Sequence, residues 1–163
     1  MATEPPGSAP DPRLLTATLR PPSVIEPGPD GTCPFGYPRL IQPLLDQHCT
    51  RCHDGVPGPD KSELVLTGSP TASFSRSYEN LLPYLRWPSP DGVTRPGELG
   101  ADVSPLSAVL TGDQHRAYVQ LPDEDLRTLY LWLDAHVPFF GTYEEEGLQA
   151  QKLGQAVPAP QLQ

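Results

Sequence analysis

Cys49-Thr50-Arg51-Cys52-His53 places two thiols three positions apart, with an imidazole directly after the second. This is the pattern by which a porphyrin is tied covalently to a polypeptide. Each thiol adds to one vinyl group on the same porphyrin edge, so the sulfurs must lie about one short helical turn apart, and the following residue turns its imidazole to the iron. Thr50 and Arg51 act as spacers. Two other readings of the cysteine pair need features the sequence lacks. A zinc site takes four ligands, usually from a second Cys or His pair, and the only other cysteine is Cys33. A thiol redox pair sits in a βαβ pattern, and no such pattern is found. The expectation is one haem c, bound through Cys49 and Cys52, with His53 as an iron ligand.

Upstream of the motif, Leu40, Ile41, Leu44 and Leu45 recur at helical spacing with Pro38 near the start, which predicts a helix over 38–53 that delivers His53. Further upstream the character changes. Nine prolines lie between Met1 and Pro34, and proline fixes φ while removing donors, so residues 1–34 read as an extended arm. Cys33, at the end of that arm, has no partner once Cys49 and Cys52 are used. It reads as a buried free thiol or a site of intermolecular pairing.

Composition bounds the rest. A chain of 163 residues supports one domain with a core, and it holds no apolar run long enough to span a membrane. Hydrophobic residues make up 37% and prolines number 23, so part of the chain is not core, and a haem helps to fill the deficit. The net charge of −9 argues against nucleic acid and anionic membrane, and suits a basic redox partner. Residues 1–30 contain no charged start followed by an apolar stretch, so no secretory signal is visible. Covalent haem attachment takes place outside the bacterial cytoplasm, so the expected location is periplasmic or equivalent, or extracellular. The chain then reads as a mature form or a piece of a longer one.

Downstream, Val56-Pro57-Gly58-Pro59-Asp60 is turn-rich, and Leu64 to Gly68 reads as a brief strand or a loop at the haem edge. Tyr78, Leu81, Leu82, Tyr84 and Leu85 predict a helix over 77–87 with a kink at Pro83. Ser104-Pro105 opens a short helix through Leu110, with serine as N-cap, and Thr111 to Arg116 ends it in a loop. The strongest helix begins at Leu121-Pro122-Asp123-Glu124-Asp125 and runs to His136, with Leu126, Leu129, Tyr130, Leu133 and Val137 as its apolar stripe. It should pack across the helix that precedes the motif. Tyr84, Trp87, Tyr130 and Trp132 are candidate walls for the ring. Glu144-Glu145-Glu146 reads as a solvated face, followed by a tail without core signal.

Three stretches together resemble the monohaem c-type cytochrome domains of the planctomycete type, and are similar to the haem domain of the hydrazine synthase alpha subunit. They are Ile41 to His53, Ser104-Pro105-Leu106 with Gly112 to His115, and Leu131-Trp132-Leu133-Asp134 running on to Phe140-Gly141-Thr142-Tyr143. The resemblance spans residues 38–146. In that family a Gly-His-His element stands before the last helix and supplies an iron ligand. This chain has Gly112-Asp113-Gln114-His115, without the first histidine and with a small insertion, so the resemblance implies His115. The fold expected is all-α: a small cytochrome c-like set of helices around one covalent haem over 35–146, an extended Pro-rich N-terminal arm over 1–34 and a C-terminal tail over 147–163.

The sixth iron ligand decides function. Methionine is left aside because the only one is Met1, in the arm. His115 lies in a segment between helices that can return over the distal face, whereas His136 ends the last helix, where an imidazole suits the helix dipole. Tyr118, Lys61 and water complete the candidates. His48 directly precedes Cys49 and is too close to reach the same iron; it reads as a satisfied histidine, a propionate partner or a group facing a neighbouring haem. Ligation by His53 and His115 predicts a monohaem electron carrier, not an enzyme. An open or weakly held distal site, with His115 and Arg116 or Asp113 as acid and base, would instead bind or transform small molecules. A third reading is an electron-conducting subunit of a cytochrome assembly or filament, or a homo-oligomer, joined through the arm.

Overall fold

The structure, a computed structural model, describes residues 19–21, 24, 35–87 and 92–155. The chain divides into two units, Met1–Thr32 and Cys33–Gln163, and the helices among the described residues lie in the second. The arm expected over 1–34, apart from residues 19–21 and 24, and Cys33 lie outside the described residues.

The helix expected over 38–53 forms in two pieces, α1 (Tyr37–Leu40) and α2 (Gln42–His48). Pro43 has no N–H to donate four residues back, and Ile41 joins the pieces in helical conformation, its N–H donating to Tyr37 O at 2.9 Å. Beyond His48 the chain continues in tight turns. Cys49 N–H donates to Leu45 O at 2.8 Å and His53 N–H to Cys49 O at 3.0 Å. A four-residue period survives the proline: Tyr37, Ile41, Leu45 and Cys49 fall on one face and are all buried.

At the second helix Pro83 acts by ending it. α3 (Arg76–Leu81) gives way to a 3-10 turn over Leu82–Tyr84. α4 (Pro105–Thr111) starts with Pro105 in its first turn, but the Ser104 hydroxyl does not cap it. That hydroxyl donates to Tyr84 O at 3.0 Å and so ties α4 to the 3-10 turn. The span read as a loop after Thr111 contains a separate single-turn helix, α5 (Asp113–Arg116). α6 (Asp123–Asp134) has three acidic residues in its first turn, where they complement the helix dipole. It ends at Asp134, and the next turn places His136 and Val137 at φ 64° and 51°.

One element was not foreseen. α7 (Glu145–Lys152) crosses the expected boundary at 146 and packs on α1. Gln151 is buried, and its side-chain oxygen accepts from Gly141 N–H at 2.6 Å. The described part of the expected tail therefore joins the fold, while Glu144, Glu145 and Glu146 are exposed as read. Among the described residues every regular element is helical, and the one β feature is an isolated bridge between Pro70 and Ser75. The fold is all-α; residues 64–68 form a loop. No helix among the described residues is long and apolar enough to cross a membrane.

The core has two halves. Tyr37, Phe74, Tyr78, Trp132 and Phe139 form an aromatic half, with neighbouring ring centres 4.9–6.2 Å apart, inside the range where aromatic pairs attract. Trp132 and Tyr78 also hold the turn after α6: the indole N–H donates to Pro138 O at 3.1 Å and the phenol to Val137 O at 2.9 Å. The second half is aliphatic and includes Leu45, Leu66, Leu81, Leu106 and Leu129.

Gln42 joins three segments inside this core. Its Nε2 donates to Asp46 Oδ1 at 2.8 Å and to Leu66 O at 3.1 Å, and its Oε1 accepts from the Ser77 hydroxyl. Gln42→Leu leaves the Leu66 carbonyl without this donor in a buried site, so stability is expected to fall by about 2–3 kcal/mol. Guanidinium unfolding followed by circular dichroism checks it, with the midpoint lowered and the slope unchanged.

Candidate cofactor site

The motif is held from both sides. After His53, the chain turns through Asp54-Gly55, where Gly55 has φ 81° and a Cβ would stand 2.9 Å from Val65 Cγ2. Only glycine suits both the left-handed backbone and the close approach. The turn brings the loop back along the motif: Ser62 N–H donates to Cys52 O at 2.9 Å and Leu66 N–H to His53 O at 2.8 Å. Lys61 closes the outer edge, donating to Arg51 O and to Asp54 Oδ2, the latter at 2.6 Å.

This loop also fixes the chemistry of His53. Its Nδ1 lies 3.0 Å from Leu64 O. A carbonyl can only accept, so Nδ1 carries the proton and Nε2 keeps its lone pair for a metal. Facing it is His115, from α5. The two ring centres are 6.5 Å apart and the planes are inclined by 33°. An imidazole nitrogen bonds a metal at about 2.0 Å and lies about 1.1 Å from its own ring centre, so two imidazoles on opposite sides of one ion hold their centres roughly 6 Å apart. The observed spacing fits one ion between the two rings. His115 Nδ1 is buried without a hydrogen-bond partner. Burial, and secondarily the neighbouring His53, hold the His115 imidazole below its ordinary pKa.

Two cavities meet at these residues. An apolar one of about 230 Å³ is walled by Leu45, Leu64, Leu66, Leu81, Leu106, Leu110 and Leu129, with Tyr84 at its edge. An open groove of about 890 Å³ carries Arg51, Lys61, Cys52 and Tyr118. Cys49, His53, Ser62 and His115 border both. Protein interiors hold few voids larger than a water molecule, so an apolar cavity of this size that shares four lining residues with a polar groove offers room for an amphiphilic ligand. Cys49 is buried and its thiol is pushed up to about 11 by that burial, with Cys52 a smaller cause. Thiol redox pairs depend on the opposite shift.

No protein-family model, curated protein or solved structure matches the chain. The residues themselves carry the reading. Among the described residues no three or more His, Cys, Asp or Glu side chains converge to hold a bare metal ion, so Cys49, Cys52, His53 and His115 are not placed as a tetrahedral zinc set. A porphyrin supplies four ring nitrogens of its own and asks the protein only for axial ligands. The four residues singled out in the sequence thus stand together at the cavities, with Cys49, His53 and His115 bordering both and Cys52 lining the groove.

The other candidates are placed differently: His48, Lys61 and Tyr118 line the open groove, while His136, Asp113 and Arg116 border neither cavity. His136 is exposed beyond α6 and borders neither cavity. His48 Nε2 lies 2.9 Å from Asp125 Oδ2, so it is a satisfied histidine linking α2 to α6. Lys61 is engaged by Asp54, and Tyr118 is exposed at the groove. Asp113 and Arg116 are exposed and line neither cavity. Of the four aromatic residues read as walls, Tyr84 lines the apolar cavity, Trp132 and Tyr130 pack in the core, and Trp87 is half exposed. Sequence reasoning missed the Leu64 carbonyl, because any residue supplies one.

The sign of the His115 shift gives a pH dependence. A histidine whose pKa is lowered by folding contributes stability in full above its ordinary value near 6.5, and that contribution is lost as pH falls. In the haem-free chain, where no metal holds His115, the wild type should therefore lose more stability than His115→Gln between pH 7 and about 5. Denaturant unfolding at several pH values measures it; parallel curves for the two proteins contradict it.

Proposed function

We propose that the protein is a monohaem electron carrier of the c type, and that it belongs with the planctomycete-type domains it resembles. The observation that carries this reading is the pair His53 and His115 facing each other across 6.5 Å at a cavity bordered by Cys49. Cys49 and Cys52 would hold the haem as thioethers, and His53 and His115 would ligate its iron. When bound, the haem iron supplies one-electron redox chemistry.

Everything else is the work of the chain. The Leu64 carbonyl keeps His53 in the tautomer that presents Nε2. The leucines of the aliphatic core exclude water from the buried part of the site and so favour the less charged state of the centre. With imidazoles on both sides the resting protein exchanges electrons and does not turn over a substrate. Two nitrogen ligands, without a methionine, place the potential below that of His/Met cytochromes. The net charge of −9 suits a basic redox partner. Haem attachment places the protein in the periplasm or an equivalent compartment, and the Pro-rich arm over 1–34 is the segment available for joining a homo-oligomer or a larger cytochrome assembly.

The decisive experiment is an absorption spectrum of the purified protein, oxidised and then reduced with dithionite, with no added ligand. A sharp low-spin α band is expected; a high-spin spectrum sinks the two-histidine reading. Intact mass after denaturation should show one haem retained, and Cys49→Ser with Cys52→Ser should release it. A wild type that loses its haem on denaturation rules out covalent attachment.

A further inference from the structure

The two imidazoles that face each other are held very differently. His53 is anchored at three atoms: its N–H donates to Cys49 O at 3.0 Å, its carbonyl accepts from Leu66 N–H at 2.8 Å and its Nδ1 donates to Leu64 O at 3.0 Å. Its neighbour Cys52 is pinned in turn by Ser62 N–H. The backbone of His115 is bonded only within its own turn, its N–H donating to Gly112 O at 3.1 Å and its carbonyl accepting from Tyr118 and Val119 N–H, and its side chain has no tether like that of His53 to Leu64, since its Nδ1 is buried without a partner. The helix that carries it is also poorly anchored. α5 is a single turn with no buried residue, and Asp113, Gln114 and Arg116 around His115 are all exposed. Segments with few buried contacts open locally at low free energy.

A metal-bound imidazole gains basicity and a fixed orientation from an acceptor on its second nitrogen, and losing that acceptor typically weakens metal binding about 10–100-fold. We infer that His115 is an exchangeable ligand and that, by swinging away on α5, it opens the iron to small neutral ligands of the carbon monoxide and nitric oxide class. The inference rests on the two-histidine reading above. It adds a gated binding site to a centre that is closed at rest. In such an exchange His115 would leave with its lone pair on the imidazole nitrogen, and the incoming neutral ligand would bring a lone pair of its own. No electron or proton is consumed. The Leu106, Val109 and Leu110 face of α4 borders the apolar cavity alongside His115, which suits an apolar diatomic better than a charged ion.

The test is carbon monoxide binding to the dithionite-reduced holoprotein, followed by stopped-flow absorption. Before the gas is added the spectrum is low-spin. After mixing, the adduct forms at a rate that levels off with gas concentration, because departure of His115 becomes limiting. In His115→Ala the rate should rise linearly with concentration, without levelling off, and exceed the wild-type plateau at saturating gas. His115→Gly with added imidazole, which supplies the ligand without its tether, should restore the low-spin band and the levelling. A low-spin wild type inert to carbon monoxide overturns the gated site and leaves the electron-carrier reading standing. A wild type that is high-spin before any gas is added overturns the two-histidine reading itself. Binding unaffected by His115→Ala shows that His53 departs instead and also overturns the inference.

Discussion

The hydrogen bond from His53 Nδ1 to the Leu64 carbonyl is the interaction on which the site depends. It selects the tautomer, fixes the ring plane and ties the motif to the loop that returns along it. That loop takes its position from two further constraints. Gly55 lets the chain turn back at once, and Gln42 holds the Leu66 carbonyl from inside α2. A buried amide in the first turn of α2 thus acts, through a loop, on the imidazole eleven residues further along the chain, because each link is a directed hydrogen bond in a site shielded from water.

The four-residue period of Tyr37, Ile41, Leu45 and Cys49 does the corresponding work for the apolar part. It places the aromatic half of the core at one end of a single face and a thiol at the other. The aromatic half is filled by side chains. The aliphatic half is lined by side chains but left open toward His53 and His115. Rigidity and capacity are therefore divided between two ends of one short helical stretch.

Much of this was legible in the sequence, and what was not has physical reasons. The cysteine spacing and the adjacent histidine are local, so the proximal half of the site could be read directly. His115 came from chain geometry and resemblance, and the structure brings it opposite His53. The all-α class followed from helical periodicity, although Pro43 and Pro83 ended or split helices where the pattern continued. α7 was missed because its burial rests on Gln151, a polar residue that counts as core only once Gly141 N–H is seen to meet it. The pairing of His48 with Asp125 spans 77 positions, and no local pattern announces such a contact. Trp132 looked like a wall for the ring by spacing alone. Its indole N–H finds its acceptor at Pro138, and this sets it in the aromatic half instead.

The bond from Tyr37 N–H to Phe139 O, 3.0 Å long, closes the aromatic half across most of the described chain. Contacts so distant in sequence form late, because the loop between them must be ordered first. A polypeptide emerging from its N-terminal end therefore exposes Cys49 and Cys52 well before Phe139 arrives to complete the core. In the finished fold Cys49 is buried. The same long-range closure that completes the core thus leaves Cys49 reachable on the emerging chain until Phe139 has followed it.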